Sequence, residues 1–389
     1  MEQNLAKEST INLVDAIINT AIERSASDIH VESNPEGAKV RYRIDGVLYD
    51  QSSIEDSRKS QVISRIKVLS KINLSEKRIP QDGKFAIQST GCNIDLRVST
   101  FPSIYGEKVV IRILDRSKTM TQLDALGFLG SMLQSFQELI ERPSGFMLVT
   151  GPTGSGKTTT LYAALSHLNS PEKHIITLED PVEYNLDGIT QGQIHPDAGF
   201  TFAKGIRAVL RQDPDIAMVG EIRDKETAQI AIEAALSGHG VFSTLHTNDA
   251  PGAVMRLMDM GIEPFLINAA LTGILAQRLA RKICDHCRTE KKPTDQEKKV
   301  IDRLGLSVDT LYEGAGCEQC FHLGYKGRIG IFELLTMSSD LRSLIVETPR
   351  FDDIRAQAIL GGMRPIVSDG VSKVKTGIIS LDELLRIVW

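Results

Sequence analysis

Tryptophan occurs once in the 389 residues and aromatic residues make up only 5 %, so the chain has few of the stacking platforms that single-strand nucleic-acid binders rely on. Positive charge is short as well. Forty-five Lys and Arg against 50 Asp and Glu leave a net charge of −5, a poor balance for coating a phosphate backbone. No apolar run approaches the ~18 residues that cross a bilayer. The N-terminus mixes Glu2, Lys7 and Glu8 where a signal peptide would be basic and then apolar without interruption. The expectation is a cytoplasmic protein. Cysteine is scarce too: four of the five fall in two Cys-x-x-Cys pairs and Cys92 is left over, which fits a reducing compartment better than a disulfide framework. Low-complexity segments and repeats of 20 to 50 residues are also missing. What remains is an ordinary globular balance, 41 % hydrophobic and 24 % charged, in a chain long enough for two or three domains.

The most informative stretch is Phe146 to Thr160, FMLVTGPTGSGKTTT. An apolar run enters a loop matching G-x-x-x-x-G-K-[ST] in full, and a helical segment follows. Each residue type answers a physical need. Glycines at 151, 154 and 156 permit backbone conformations that aim successive N–H groups at phosphate oxygens. Lys157 adds a point charge for the outer phosphates, Thr158 can offer its hydroxyl to Mg²⁺, and the helix start faces the nucleotide with its positive end. Residues 151–159 (Gly151, Pro152, Thr153, Gly154, Ser155, Gly156, Lys157, Thr158 and Thr159) are therefore the expected ATP-binding set.

Read in order, the chain predicts an α/β protein. Residues 9–24 form an amphipathic helix capped by Ser9 or Thr10, with Ile11, Val14, Ile18, Ala21 and Ile22 on one face. Val40, Tyr42 and Ile44 alternate against Arg41 and Arg43, and Asp45-Gly46 turns the chain into Val47-Leu48-Tyr49 as a hairpin. A second helix spans Lys59 to Ile72, and strands at 93–100 and 107–114 complete a mixed α/β domain over residues 1–114. A polar linker is expected at 115–125. Beyond it, apolar strands at 175–178, 216–219 and 241–245 with little alternation predict a parallel sheet covered on both faces, a RecA-like core over 126–280. A cysteine module at 281–328 and a helical region at 329–389 follow.

A nucleotide site also needs carboxylates, because Mg²⁺ prefers oxygen and an attacking water needs orientation. Glu179, Asp180 and Glu183 end one apolar strand, Glu221 lies just past another, and His239 and His246 flank a third. Singly, each acid reads as a solvated loop residue and each histidine as a satisfied structural one. With the phosphate loop they read as a site.

These motifs make the chain resemble the secretion ATPases of type II secretion and type IV pilus assembly. The likeness covers nearly the whole sequence: the phosphate loop, an Asp box at Leu178-Glu-Asp-Pro-Val-Glu183, a Walker B region at Val219-Gly-Glu-Ile-Arg-Asp224 and a His box at Ser243-Thr-Leu-His-Thr247. In the first domain it includes Ala26-Ser-Asp-Ile-His30, Arg43-Ile-Asp-Gly46, Lys77-Arg-Ile-Pro-Gln-Asp-Gly83, Arg97-Val-Ser-Thr100 and Gly106-Glu-Lys108. The resemblance implies a PAS-like N-terminal domain before the ATPase core and a homo-hexameric motor that moves its domains to drive pilin or pseudopilin assembly. It also implies recruitment to the cytoplasmic face of the inner membrane through platform and adaptor proteins, with no nucleic acid involved. By motif, Lys157 and Thr158 meet phosphates and Mg²⁺, Glu221 supports Mg²⁺ or water, Glu183 activates water and His246 marks the His box. Arg97 and Arg112 match positions where similar motors bring arginines to bound nucleotide. Many relatives carry a further N-terminal recruitment region, which is not legible here.

Cys284-Asp-His-Cys287 and Cys317-Glu-Gln-Cys320 form two knuckles suited to tetrahedral Zn²⁺ through Cys284, Cys287, Cys317 and Cys320. The gap between the pairs exceeds the usual spacing, and His286 and His322 stand nearby as bystanders. Four thiolates leave no open position, so the metal would be structural. In the resembling family this module marks the assembly and secretion branches rather than the retraction branch. Two other functions share the fold: a nucleic-acid translocase, disfavoured by the aromatic and charge deficits, and a nucleotide-gated scaffold without turnover, disfavoured by the intact carboxylate set.

Overall fold

A computed structural model describes residues 9–89, 92–115, 121–305, 308–347 and 350–388. Outside them lie the N-terminal Glu2, Lys7 and Glu8, residues 116–120 of the expected linker, and the side chain of Cys92. The chain divides into two compact units, residues 1–119 and 120–389.

In the first unit, α1 (Thr10–Glu23) is capped by Ser9, whose hydroxyl accepts from the Asn12 N–H at 3.2 Å. Its buried stripe runs through Leu13, Val14, Ile17, Ile18 and Ala21. Ile11, expected on this face, is 50 % exposed, because the stripe is centred on the Leu13–Ile17 and Val14–Ile18 ridges rather than one position to the side. β1 (Asp28–Asn34), β2 (Gly37–Ile44) and β3 (Val47–Glu55) follow as an antiparallel meander. Asp45-Gly46 makes the predicted tight turn, both residues at positive φ (49° and 87°), as a two-residue hairpin of this twist requires. After α2 (Asp56–Leu69) come β4 (Gln81–Ser89), β5 (Cys92–Ser103) and β6 (Gly106–Asp115). The six strands form one antiparallel sheet ordered β3-β2-β1-β6-β5-β4.

Period two gives this sheet two faces. Ile29, Val31, Val40, Tyr42, Leu96, Val98, Val109 and Ile111 are buried, and the Tyr42 hydroxyl donates to the Ile17 carbonyl of α1 at 2.7 Å. On the opposite face, cross-strand register places Arg43, Asp28, Arg112, Arg97 and Lys84 in a single row.

The second unit opens with a short 3-10 turn whose Leu123 and Leu126 are buried in its core, so the end of the expected linker packs here. Its elements then alternate: α3 (Met132–Ile140), β7 (Gly145–Thr150), α4 (Lys157–Leu168), β8 (Ile175–Glu179), β9 (Thr190–Gln193), α5 (Phe202–Val209) and β10 (Ile216–Val219). Next come α6 (Lys225–Leu236), β11 (Gly240–Leu245), α7 (Ala250–Asp259), α8 (Pro264–Ala270) and β12 (Leu271–Ile283). The cysteine segment holds β13 (Arg288–Lys291), α9 (Asp295–Arg303) and β14 (Leu311–Gly314). The chain ends with β15 (Tyr325–Thr336), α10 (Ser339–Glu347), α11 (Phe351–Leu360), α12 (Ile366–Lys375) and α13 (Leu381–Val388).

Seven strands form the central sheet in the order β15-β12-β7-β11-β10-β8-β9, parallel except for β15. Helices cover both faces, and alternate residues of β7 enter different cores. Phe146 and Leu148 of β7 pack on one side with α6 and α7. Met147 and Val149 pack on the other with Leu161, Leu165 and Leu168 of α4. This is why these strands read as unbroken apolar runs. β15 extends the sheet through residues read from the sequence as cysteine module and helical region; helices dominate only after Thr336.

Candidate functional site

Parallel pairing brings the carboxyl ends of β7, β11, β10 and β8 side by side, the edge at which open α/β sheets bind ligands. The phosphate loop follows β7, His246 follows β11, Glu221 lies just beyond β10, and Glu179 ends β8. Four motifs separated by as much as 95 positions in sequence thus share one edge because their strands are neighbours.

The phosphate loop is tightly built. Gly151 and Ser155 are buried, Pro152, Thr153 and Gly154 are exposed, Gly156 caps α4, and Lys157, Thr158 and Thr159 form its first turn. Gly151 has φ 150°, and a Cβ there would sit 2.5 Å from the Gln277 carbonyl oxygen and 2.6 Å from Ser155 Oγ. Only glycine fits. Lys157 Nζ donates to the carbonyls of Gly151 at 2.9 Å and Pro152 at 3.1 Å. Burial lowers its pKa, opposed by the Glu221 carboxylate and helped by Arg278. A cradle of backbone N–H groups with a desolvated ammonium at its end fits a nucleotide polyphosphate.

Glu221 is mostly covered, its side chain 17 % exposed. One oxygen accepts from Arg223 and the other lies 3.5 Å from His246 Nε2. The strand ends behind it are cross-linked: Ser243 Oγ donates to Val219 O and Thr244 Oγ1 to Gly220 O, each at 2.7 Å. The Thr247 N–H in turn donates to Thr150 Oγ1 at 2.9 Å, joining the His box to the strand that feeds the phosphate loop. Glu183 is exposed, in the loop that follows the cis Asp180-Pro181 bond. His239 belongs elsewhere. It precedes β11 at the opposite end of the sheet, with its ring nitrogen within 3.1 Å of Ser237 Oγ and 3.0 Å of Ala234 O, and closes α6. Arg97 and Arg112 lie in the first unit, directly opposite each other across β5 and β6, and both are exposed. Arg112 Nε is 3.1 Å from Asp28 Oδ1.

Gln277 and Arg278 of β12 are site residues that no sequence motif marks. Gln277, 2 % exposed, donates through Nε2 to the Ser155 carbonyl at 2.6 Å and so holds the phosphate loop from beneath. Arg278 donates to the Asn248 carbonyl at 2.9 Å, beside the His box. The available signal was a glutamine inside the apolar run Leu271-Thr-Gly-Ile-Leu-Ala-Gln277, since a buried amide must find a partner.

Among the described residues, the four cysteines are the cluster of potential metal donors, without His286 or His322. Sγ separations are 3.9 Å (Cys284–Cys317), 3.8 Å (Cys287–Cys320) and 3.7 Å (Cys317–Cys320). A tetrahedron with Zn–S bonds of ~2.3 Å has edges of about 3.8 Å, so the thiols fit this ion. Burial works to raise the Cys320 thiol, but N–H donors from Cys317 and Gly324 outweigh it and bring the pKa to about 7. Protein purified without chelator is expected to hold about one Zn²⁺ per chain. Cys284→Ser is expected to lower the melting temperature by at least ~4 °C while nucleotide affinity stays unchanged. Elemental analysis and a melting curve check both, and metal-free protein of full stability would refute the site.

A family model described as type II/IV secretion system protein matches residues 3–386. The type II secretion system ATPase E of Vibrio cholerae is 48 % identical over 377 residues, 97 % of this chain and 75 % of that protein. The type IV pilus assembly ATPase PilB of Thermus thermophilus is 46 % identical over 386 residues, 98 % of this chain and 43 % of that protein. Among solved structures, the pilus retraction motor PilT with bound ADP superposes with a TM-score of 0.63 at 28 % identity, covering 95 % of both chains.

Proposed function

Because the chain belongs to the type II/IV secretion system protein family, we propose that it is an ATP-hydrolysing motor that drives pilin or pseudopilin assembly in a type II secretion or type IV pilus machine. The observation that carries this reading is the convergence of the phosphate loop, Glu221 and the Asp-box strand on one sheet edge. ATP is held by the backbone of residues 151–159 and by Lys157. Mg²⁺ is held through Thr158 with support from Glu221, and supplies charge neutralisation at the phosphates when bound. Glu183 accepts a proton from the water that attacks the γ-phosphorus, as the bond to the ADP oxygen breaks. His246, 3.5 Å from Glu221, fixes that carboxylate. Arg97 and Arg112 neutralise charge that develops on the phosphates.

The four thiols favour the assembly and secretion branches. The motor works as a homo-hexamer and meets the inner membrane through platform and adaptor proteins; no helix among the described residues is long and apolar enough to cross a membrane. Multiple-turnover phosphate release is the test, run with and without single-stranded and duplex nucleic acid at low salt. Turnover indifferent to nucleic acid is expected. A single turnover without release would make the chain a scaffold, and strong stimulation by nucleic acid would make it a translocase.

A further inference from the structure

Behind Glu183 lies a buried polar knot to which the roles above give no part. Glu179, the last residue of β8, is only 3 % exposed. One of its carboxylate oxygens accepts from the Tyr162 hydroxyl, and the other accepts from Thr177 Oγ1 at 2.6 Å and Gln191 Nε2 at 3.1 Å. Tyr162 and Gln191 then reach the backbone of the Asp-box loop. The Glu183 N–H donates to Tyr162 Oη at 3.4 Å. Gln191 Nε2 donates to the Tyr184 carbonyl at 3.1 Å, and its Oε1 accepts from the Leu186 N–H at 2.7 Å. The Tyr162 and Tyr184 rings meet edge to face, 4.7 Å between centroids.

The chemistry of this knot is one-directional. A buried carboxylate needs donors on both oxygens, and burial, reinforced by the bond to Glu179, pushes the Tyr162 phenol above its ordinary range, so it keeps its proton. With that proton committed to Glu179, the phenol oxygen is left to accept from the Glu183 N–H and from Gln191 Nε2, the latter at 3.3 Å. Tyr162 is also fully buried in α4, the helix that begins with Lys157 and Thr158, about one and a half turns from the phosphate loop.

We propose that Tyr162 is a positioning residue for Glu183: through Glu179 and Gln191 it ties the loop carrying the water-activating carboxylate to the helix carrying the phosphate-binding residues. The inference rests on the reading of Glu183 given above. Its consequence is that a shift of α4 moves both halves of the site together.

A double-mutant cycle tests it on the full chain, with kcat and KM for ATP measured for Tyr162→Phe, Glu183→Gln and the pair. Tyr162→Phe is expected to lower kcat ~10-fold with KM within about twofold, since the phosphate cradle is untouched. In the Glu183→Gln background the same change is expected to cost less than about twofold, because the group it positions is gone. Gln191→Leu, which cuts the second tether, is expected to follow the same pattern, and melting curves establish that each variant is folded. If Glu183→Gln alone hydrolyses ATP at the wild-type rate, the reading of Glu183 falls and the positioning role falls with it. If Glu183→Gln is slow but Tyr162→Phe costs the same factor in both backgrounds, Glu183 stands and the positioning proposal is wrong. A Tyr162→Phe enzyme of wild-type kcat also overturns it.

Discussion

Glu221→Gln is expected to bind Mg²⁺-ATP with near-normal affinity and to hydrolyse it at least ~10²-fold more slowly, the scale of a lost positioning or acid–base group. The substitution keeps shape and removes charge. Glu221 stands at the end of β10 between Arg223 and His246 and acts electrostatically on Lys157, so its loss alters the field at the phosphates while the loop that binds them is preserved. Lys157→Ala should fail at the earlier step. Its ammonium is the cationic end of the cradle, and its removal is expected to abolish productive binding. Equilibrium nucleotide binding and steady-state phosphate release on both variants separate the two failures. A Glu221→Gln enzyme of near-normal rate would remove its assigned role.

Arg97→Ala and Arg112→Ala are each expected to leave folding and Mg²⁺-ATP binding intact and to reduce turnover by ~10³-fold, the range of arginines that stabilise charge in phosphoryl transfer. The structure adds a reason to treat them as a pair. They face each other across β5 and β6 in a row that also holds Arg43 and Lys84, with Asp28 as its acid. Asp28 is almost buried and bonds to Arg112 at 3.1 Å, which fixes the direction of that guanidinium. Lysine should rescue poorly, because it cannot fork onto two phosphate oxygens. Phosphate release measured on each purified variant decides the matter. Wild-type rates in both would make these arginines ordinary surface residues.

Local conformational rules were the legible part of this molecule. The Ser9 cap, the Asp45-Gly46 turn and the glycines of the phosphate loop each answer a constraint set within a few residues. The carboxylates became legible only as members of motifs, since nothing local distinguishes Glu221 from a solvated acid. Contacts that depend on strand order stayed hidden. Gln277 supports Ser155 across 122 positions, and His239 proved structural because it lies at the amino end of a strand whose carboxyl end carries His246. The apolar run of β12 has no alternation to mark it as a strand, because a strand covered on both faces loses the period that would identify it.

The four cysteines stand at the mouth of a hairpin. β12 and β15 are paired side by side, with Ile283 aligned to Tyr325, so the chain leaves the ATPase sheet at Cys284 and returns beside its point of departure. Between Cys287 and Cys317 the chain builds β13, α9 and β14 and folds back onto the unit: Ile301 and Leu311 are buried in one core with Ala280 of β12, Ile331 of β15 and Leu381 and Leu384 of α13. Closing the base of this excursion therefore sets where Ile301 and Leu311 enter that core, so the cysteine cluster supports packing beyond its own four side chains.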